Sequence, residues 1–105
     1  MRVMLKASFP VERGNATIKD GSLPKKIQAI LNELKPEAAY FSTNEQGQRT
    51  AYLFLDLADP SKMVNAAEPF FLAFDASVEM SPAMTIEDLA KGGPAMAEAV
   101  KKYAS

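Results

Sequence analysis

A chain of 105 residues, 48% of them hydrophobic and 24% charged, has the composition of an ordinary folded protein and the length of one domain. Twelve basic and thirteen acidic residues leave a net charge of -1, so the chain lacks the positive charge on which nucleic-acid binding rests. The absence of cysteine and histidine excludes disulfides, thiolate nucleophiles, zinc–thiolate sites and all catalysis by imidazole.

The sequence shows no sign of a membrane segment. No apolar run approaches the roughly 20 residues that a helix needs to cross a bilayer. Lys6 interrupts the first residues too early for the apolar region of a signal peptide. We therefore expect a cytoplasmic protein that does not bind membranes.

The chain opens with a predicted strand and a connector. Residues 2–9 alternate between apolar and polar side chains, as a half-buried strand does, and Pro10 ends them. The following segment, 11–21, contains two glycines and several polar residues, and it predicts a connector with one short helical turn after Asn15.

A helix and a β-hairpin are predicted next. Ser22 is the expected N-cap of a helix whose isoleucines and leucines recur at helical spacing until proline ends it at position 36. Residues 37–43 and 49–58 read as two strands. Gly47, in the polar segment between them, supplies the positive φ that a tight turn requires.

The last third predicts a helix, a strand and a broken helix. Asp59-Pro60 is a typical helix start, and Pro69 is expected to kink or divide that helix. Residues 75–81 alternate as a fourth strand. Thr85 and Asp88 have the spacing of a capping box, and two glycines and a proline at 92–94 interrupt the helix that follows.

The element order predicts the fold. A β-α-β-β-α-β order is that of the ferredoxin-like α+β sandwich, with an antiparallel four-stranded sheet; here an extra broken C-terminal helix follows it. In this fold the first strand lies between the third and the fourth. The whole chain is expected to form this single domain.

Two helices cover one side of such a sheet, so the side chains of the other side need an explanation. Phe41 is assigned to the covered side. We call the uncovered side the open face; its predicted residues are Arg2, Met4, Lys6, Ser8, Tyr40, Ser42, Tyr52, Phe54, Asp56, Ser77 and Glu79. Aromatic rings left in water at this density usually mark an interface or a ligand site. The C-terminal helix, a second subunit or a ligand could cover them, and a homodimer through this face is the expectation.

Four segments carry a resemblance to a known group of proteins. They are KPEAAYF at 35–41, DLADPSK at 56–62, AEPFFLAF at 67–74 and MTIEDL at 84–89. With them the chain resembles small bacterial proteins of the ferredoxin-like, dimeric α/β-barrel type, some of which are labelled pantothenate synthetase. The resemblance implies a bacterial origin and a dimer. The chain contradicts the label, since that enzyme is much larger and its ATP site uses a histidine-containing motif.

The favoured function is the binding of a small organic ligand in a cavity over the open face. Its predicted ligand-binding residues are Lys6, Tyr40, Tyr52, Phe54, Asp56 and Glu79. The rings would form walls, Lys6 would anchor a carboxylate or another anion, and the remaining polar groups would add hydrogen bonds. No cofactor is expected. Each residue also has an ordinary structural interpretation, as interface packing or as a cross-strand ion pair. Antiparallel register favours Lys6 near Glu79, and Asp56 near Arg2 or Met4.

A cofactor-independent enzyme of the oxygenase or isomerase type is the alternative for the same cavity. A Lys6–Glu79 pair buried among aromatic rings could acquire matched acid and base pKa values. The lack of histidine, cysteine and any recognisable catalytic motif favours a binding protein over an enzyme.

RNA binding is a third and weaker interpretation. Tyr52 and Phe54 have the third-strand spacing of RNA-recognition domains, which stack bases on such rings. In the third-strand motif, Ala51 stands where RNA-recognition domains have a glycine, and Leu57 stands where they have the final aromatic residue. On the first strand, Met4 stands where they have an aromatic ring. Acidic groups on the same face would also repel phosphate, so no nucleic-acid partner is expected.

A metal site is not expected either. Asp56, Asp59 and Glu79 carry the oxygen ligands that magnesium prefers. Asp59, however, fits a helix cap better, and the other two fit charges on the sheet.

Overall fold

The structure is a computed structural model that describes residues 1–104. The elements in chain order are β1 (Arg2–Ser8), α1 (Val11–Lys19), α2 (Ser22–Leu34), β2 (Ala38–Thr43), β3 (Arg49–Asp56), α3 (Lys62–Phe74), β4 (Ser77–Pro82), α4 (Ile86–Lys91) and α5 (Gly93–Tyr103). The strands form an antiparallel sheet in the order β2-β3-β1-β4. This is the ferredoxin-like α+β arrangement predicted from the sequence, with β1 between β3 and β4.

The core lies between the sheet and the helices α2 and α3. Alternate residues of β1 and β3 face it, and Leu5 and Leu53 lie directly opposite each other across the two central strands. Phe74 of α3 stacks on Phe9, with ring centroids 4.5 Å apart, and Phe70 packs on the other side of the same cluster. The period-2 and helical patterns that predicted these elements are therefore those that bury this core.

The connector expected before α2 is instead a helix of nine residues, α1. Its sequence contains poor helix formers, so contacts with distant residues must stabilise it. The Arg13 guanidinium donates to the Ala73 carbonyl at the end of α3, at 3.2 and 3.3 Å. Gly14 is buried beside Arg49, where a Cβ would lie 2.6 Å from Nη1. A side chain at this position would displace the Arg49 guanidinium from its place against α1.

The prediction of Ser22 as the N-cap of α2 was wrong. Gly21 occupies that position in a left-handed conformation, with φ of 77°. The Asp20 carboxylate accepts the Ser22 backbone N–H at 2.8 Å and so satisfies the start of the helix, while the Ser22 hydroxyl is buried without a partner. The nearby Ser22 hydroxyl and this hydrogen bond from the Ser22 backbone N–H lower the pKa of Asp20.

Three further expectations need correction. Helix α3 begins at Lys62, and it continues through Pro69 without being divided. Strand β3 ends at Asp56, two residues earlier than predicted. The alternation of side chains along β2 assigns Phe41 to the covered side of the sheet. Its side chain is nevertheless 54% exposed, because β2 is an edge strand.

The C-terminal segment projects from the sandwich. We call residues 83–104 the arm; it contains α4, which begins with the predicted Thr85–Asp88 capping box, and α5. Within this segment as described, neither helix has a buried residue. The chain measures 60 × 29 × 20 Å, and its radius of gyration of 17.5 Å exceeds the about 13 Å of a compact domain of this length.

Within residues 1–104, the helices are all too short or too polar to cross a membrane.

Candidate functional site

One row of side chains crosses the whole sheet on the open face. Tyr40 lies opposite Tyr52, Tyr52 lies opposite Lys6, and Lys6 lies opposite Glu79, so the row has one member from each strand. Facing side chains on neighbouring strands have Cβ atoms about 5 Å apart. The pairing of Lys6 with Glu79, predicted from antiparallel register, is therefore confirmed, as is the grouping of the two tyrosines with them.

An apolar row lies directly beside this one. Phe54 is opposite Met4 on one side and opposite Ala38 on the other. Phe54 and Met4 are half-buried even without a second surface over them. The open face thus has an aromatic and charged row with an apolar row next to it, which is the mixture found in the walls of ligand pockets.

A row of hydroxyl groups borders the central row on its other side, and its continuity was missed by the sequence analysis. Its members are Ser42, Thr50, Ser8 and Ser77, in strand order. Three of them were assigned to the open face, but Thr50 was overlooked. The signal was available, because Thr50 lies two residues before Tyr52 and so shares its face. Ser8 and Thr50 are buried within the chain, and the Thr50 hydroxyl donates to the Gln48 carbonyl, so only Ser42 and Ser77 offer exposed hydroxyl groups for polar ligand atoms.

Asp56 lies at the far end of the open face, away from the central row. The register places it opposite Arg2, as predicted. Its carboxylate nevertheless accepts from the Met1 amino group at 3.1 Å, while the Arg2 Nε donates to both oxygens of Glu37 at 2.9 and 3.2 Å. The hydrogen bond with Glu37 raises the pKa of Arg2. Both pairs are exposed, so salt screens them and they contribute little to stability.

Lys6 and Glu79 face each other but remain available to other groups. In the described part of the chain, no hydrogen bond or ion pair within 4.0 Å joins Lys6 to a carboxylate. Glu79 is on the edge strand and is exposed, whereas Lys6 is half-buried on a central strand. A cation held partly out of water and not neutralised by a neighbour can pair with an anionic group of a ligand.

The residues considered for magnesium do not come together. Asp56 binds the Met1 amino group, and Asp59 accepts from the Ser61 backbone N–H at 2.9 Å just before α3. That hydrogen bond and the Ser61 hydroxyl lower the pKa of Asp59. Across residues 1–104, no group of three or more acidic side chains is placed to hold a metal ion.

The clefts of a single chain lie elsewhere. One, of about 450 Å³, is between α2 and the edge of β2, and two others, of about 390 and 330 Å³, lie along α3 and β4. Neither these three nor a fourth cleft, of about 280 Å³, is lined by Lys6, Tyr40, Tyr52, Phe54 or Glu79. Tyr40 is 62% exposed. A ligand on the open face would therefore need a second surface to enclose it.

The geometry thus brings together five of the six residues predicted to bind a ligand, and it leaves Asp56 at the margin. Their role in binding stays a prediction.

Comparison of the chain with protein-family models, with curated proteins and with solved structures gave no match.

Proposed function

We propose that two copies of the chain pack with their open faces toward each other and bind a small organic ligand between them. The observation that carries this proposal is the row Tyr40–Tyr52–Lys6–Glu79, with Phe54 beside it. The rings and Met4 supply apolar contact, Lys6 supplies a positive charge for an anionic group, and the exposed hydroxyls of Ser42 and Ser77 supply hydrogen bonds.

The apolar content of the open face supports a covered rather than a wetted surface. Burying an aromatic side chain stabilises an interface by about 1.5–3 kcal/mol, and this face carries three such rings. Its charges argue against a completely dry contact, because an unpaired charge in an apolar interior is very costly. A cavity that encloses a polar or charged ligand satisfies both requirements. The resemblance to dimeric α/β-barrel proteins points the same way.

The charge of Lys6 gives the sharpest test. The variant Lys6→Met keeps the length and apolar stem of the side chain but removes the charge, and Lys25→Met, at an exposed position on α2, is its matched control. A charged hydrogen bond contributes about 1.5–3 kcal/mol, so an aromatic sulfonate dye should bind Lys6→Met roughly 10- to 100-fold more weakly than the parent. The control should bind the dye as the parent does.

Two further measurements decide between the parts of the proposal. Light scattering should give twice the 11.4 kDa mass of one chain for all three proteins. Native mass spectrometry of freshly purified parent protein should reveal a bound small molecule that Lys6→Met has lost. Equal dye binding by the two lysine variants would refute the site, and a monomeric mass would refute the enclosed cavity.

A further inference from the structure

The arm carries an apolar stripe that no residue among 1–104 covers. Met96, Val100 and Tyr103 follow one another at spacings of four and three residues, so they lie on one face of α5. They are 52%, 61% and 83% exposed. Glu98 and Lys102 form an ion pair at 3.8 Å on another side of the helix. The helix is therefore amphipathic in the way that helices binding an apolar groove are.

The same chain carries an apolar groove. The clefts of about 390 and 330 Å³ share Met63 and Met80, so together they form one depression between α3 and the edge strand β4. Val64 and Phe71 of α3 and Val78 of β4 also line it. We call this depression the edge groove. Its lining is mostly aliphatic, aromatic or methionine side chains, with Asp59, Glu68 and Ser81 as the polar members. Methionine adapts readily to the shape of a partner.

The surface area of the chain indicates how much is left to be covered. One chain exposes 7081 Å², whereas a compact monomer of 11.4 kDa exposes about 5,800 Å². The excess of about 1,300 Å² is larger than the roughly 800 Å² that each partner buries in a stable interface of standard size. An extended shape with this excess is typical of a subunit rather than of a free monomer.

From these observations we infer that α5 of each copy packs into the edge groove of the other copy. This inference rests on the proposed homodimer and adds its second contact. One chain contains both an uncovered apolar helix and an uncovered apolar groove, so a two-fold pair satisfies both in each subunit. The arm then fastens the two sandwiches together while their open faces enclose the ligand.

The absence of cysteine makes a crosslinking test clean. The full-length double variant Val64→Cys with Val100→Cys places one thiol in the edge groove and one on the stripe, both at exposed positions that should not disturb folding. A disulfide forms only when the two Cα atoms come within about 7 Å. On mild oxidation at low concentration, we expect a covalent species of twice 11.4 kDa on non-reducing gels. Ser77→Cys with Val100→Cys, which places the first thiol on the open face, is the matched pair, and peptide mapping should find no disulfide that joins these two positions.

Each outcome has a separate meaning. A disulfide within one chain would show that the arm folds back on its own groove, and preferential crosslinking of the Ser77 pair would place α5 on the open face; either overturns the inference. A dimer by light scattering without any crosslink would overturn arm exchange and leave the proposed homodimer standing, whereas a monomer would refute both.

In the chain without introduced cysteines, Val100→Glu should weaken dimerisation on the order of 100-fold, since it places a charge in an apolar contact. An unchanged dimerisation constant would contradict the inference.

Discussion

The aromatic cluster beneath the sheet should contribute a large part of the stability of the fold. Phe74 is completely buried and stacks on Phe9 with the two rings 4.5 Å apart and 17° from parallel. Replacing it with alanine removes a whole ring and leaves a cavity that the neighbouring side chains fill only in part. Substitutions of this kind cost about 3–5 kcal/mol, out of the about 5–15 kcal/mol by which a folded domain is stable.

Urea denaturation followed by circular dichroism measures this loss. With a denaturant dependence of about 1.5 kcal/mol per molar urea, a loss of about 4 kcal/mol moves the midpoint of Phe74→Ala down by roughly 2–3 M. The matched control is Leu72→Ala on the same helix, where the side chain is 76% exposed and the change should stay within about 0.5 kcal/mol. All proteins are compared at one protomer concentration, because the proposed dimerisation would add to apparent stability. Equal midpoint shifts for the two variants would refute the assignment of Phe74 to the core.

Two smaller perturbations test the turn and the arm. Gly47→Ala should destabilise the protein by about 1–2 kcal/mol in the same urea assay, because φ is 74° there. No atom lies within 4 Å of an added Cβ, so the whole loss would come from the backbone conformation. Gly93→Ala, where φ is not positive, should cost nothing, and equal effects of the two substitutions would contradict this reasoning. In α4, the backbone N–H of Thr85 donates to the Asp88 carboxylate and lowers the pKa of that group. The cap is therefore complete above the ordinary aspartate pKa of about 3.9. It is lost as the pH falls through the lower pKa that Asp88 has in the folded protein. Amide resonances of residues 85–88 should report this loss in an NMR titration, and a midpoint at or above the ordinary value would contradict it.

The sheet and its two faces were predictable because local pattern and global fold agree there. Strict alternation in β1 and β3 assigns each side chain to a face, and antiparallel order then fixes which residues are neighbours. The same reasoning places Lys6 beside Glu79 and Asp56 beside Arg2. It does not identify the hydrogen-bond partner of the Asp56 carboxylate, because that partner is the Met1 amino group, which carries no sequence pattern.

Helix α1 could not be predicted for a different reason. Glycine, asparagine and threonine in residues 14–17 disfavour a helix in isolation. Its stability comes from Arg13 binding the end of α3 and from the close approach of Gly14 to Arg49, contacts between residues 35 or more positions apart. The N-cap of α2 was misassigned for a related reason, since the left-handed Gly21 that joins the two helices has meaning only once α1 exists.

In the arm, the sequence pattern predicts the helices but does not determine what they pack against. The capping box and the glycines at 92 and 93 predicted two short helices, and the structure has them at those positions. The spacing of Met96, Val100 and Tyr103 shows that one face of α5 needs an apolar partner, but this pattern is identical whether the partner is the same chain or another one. Burial separates the two cases: a helix that folded back would hide its stripe, and this stripe is exposed. Because the edge groove of the same chain is uncovered as well, the exchange that we infer between two copies would cover both surfaces.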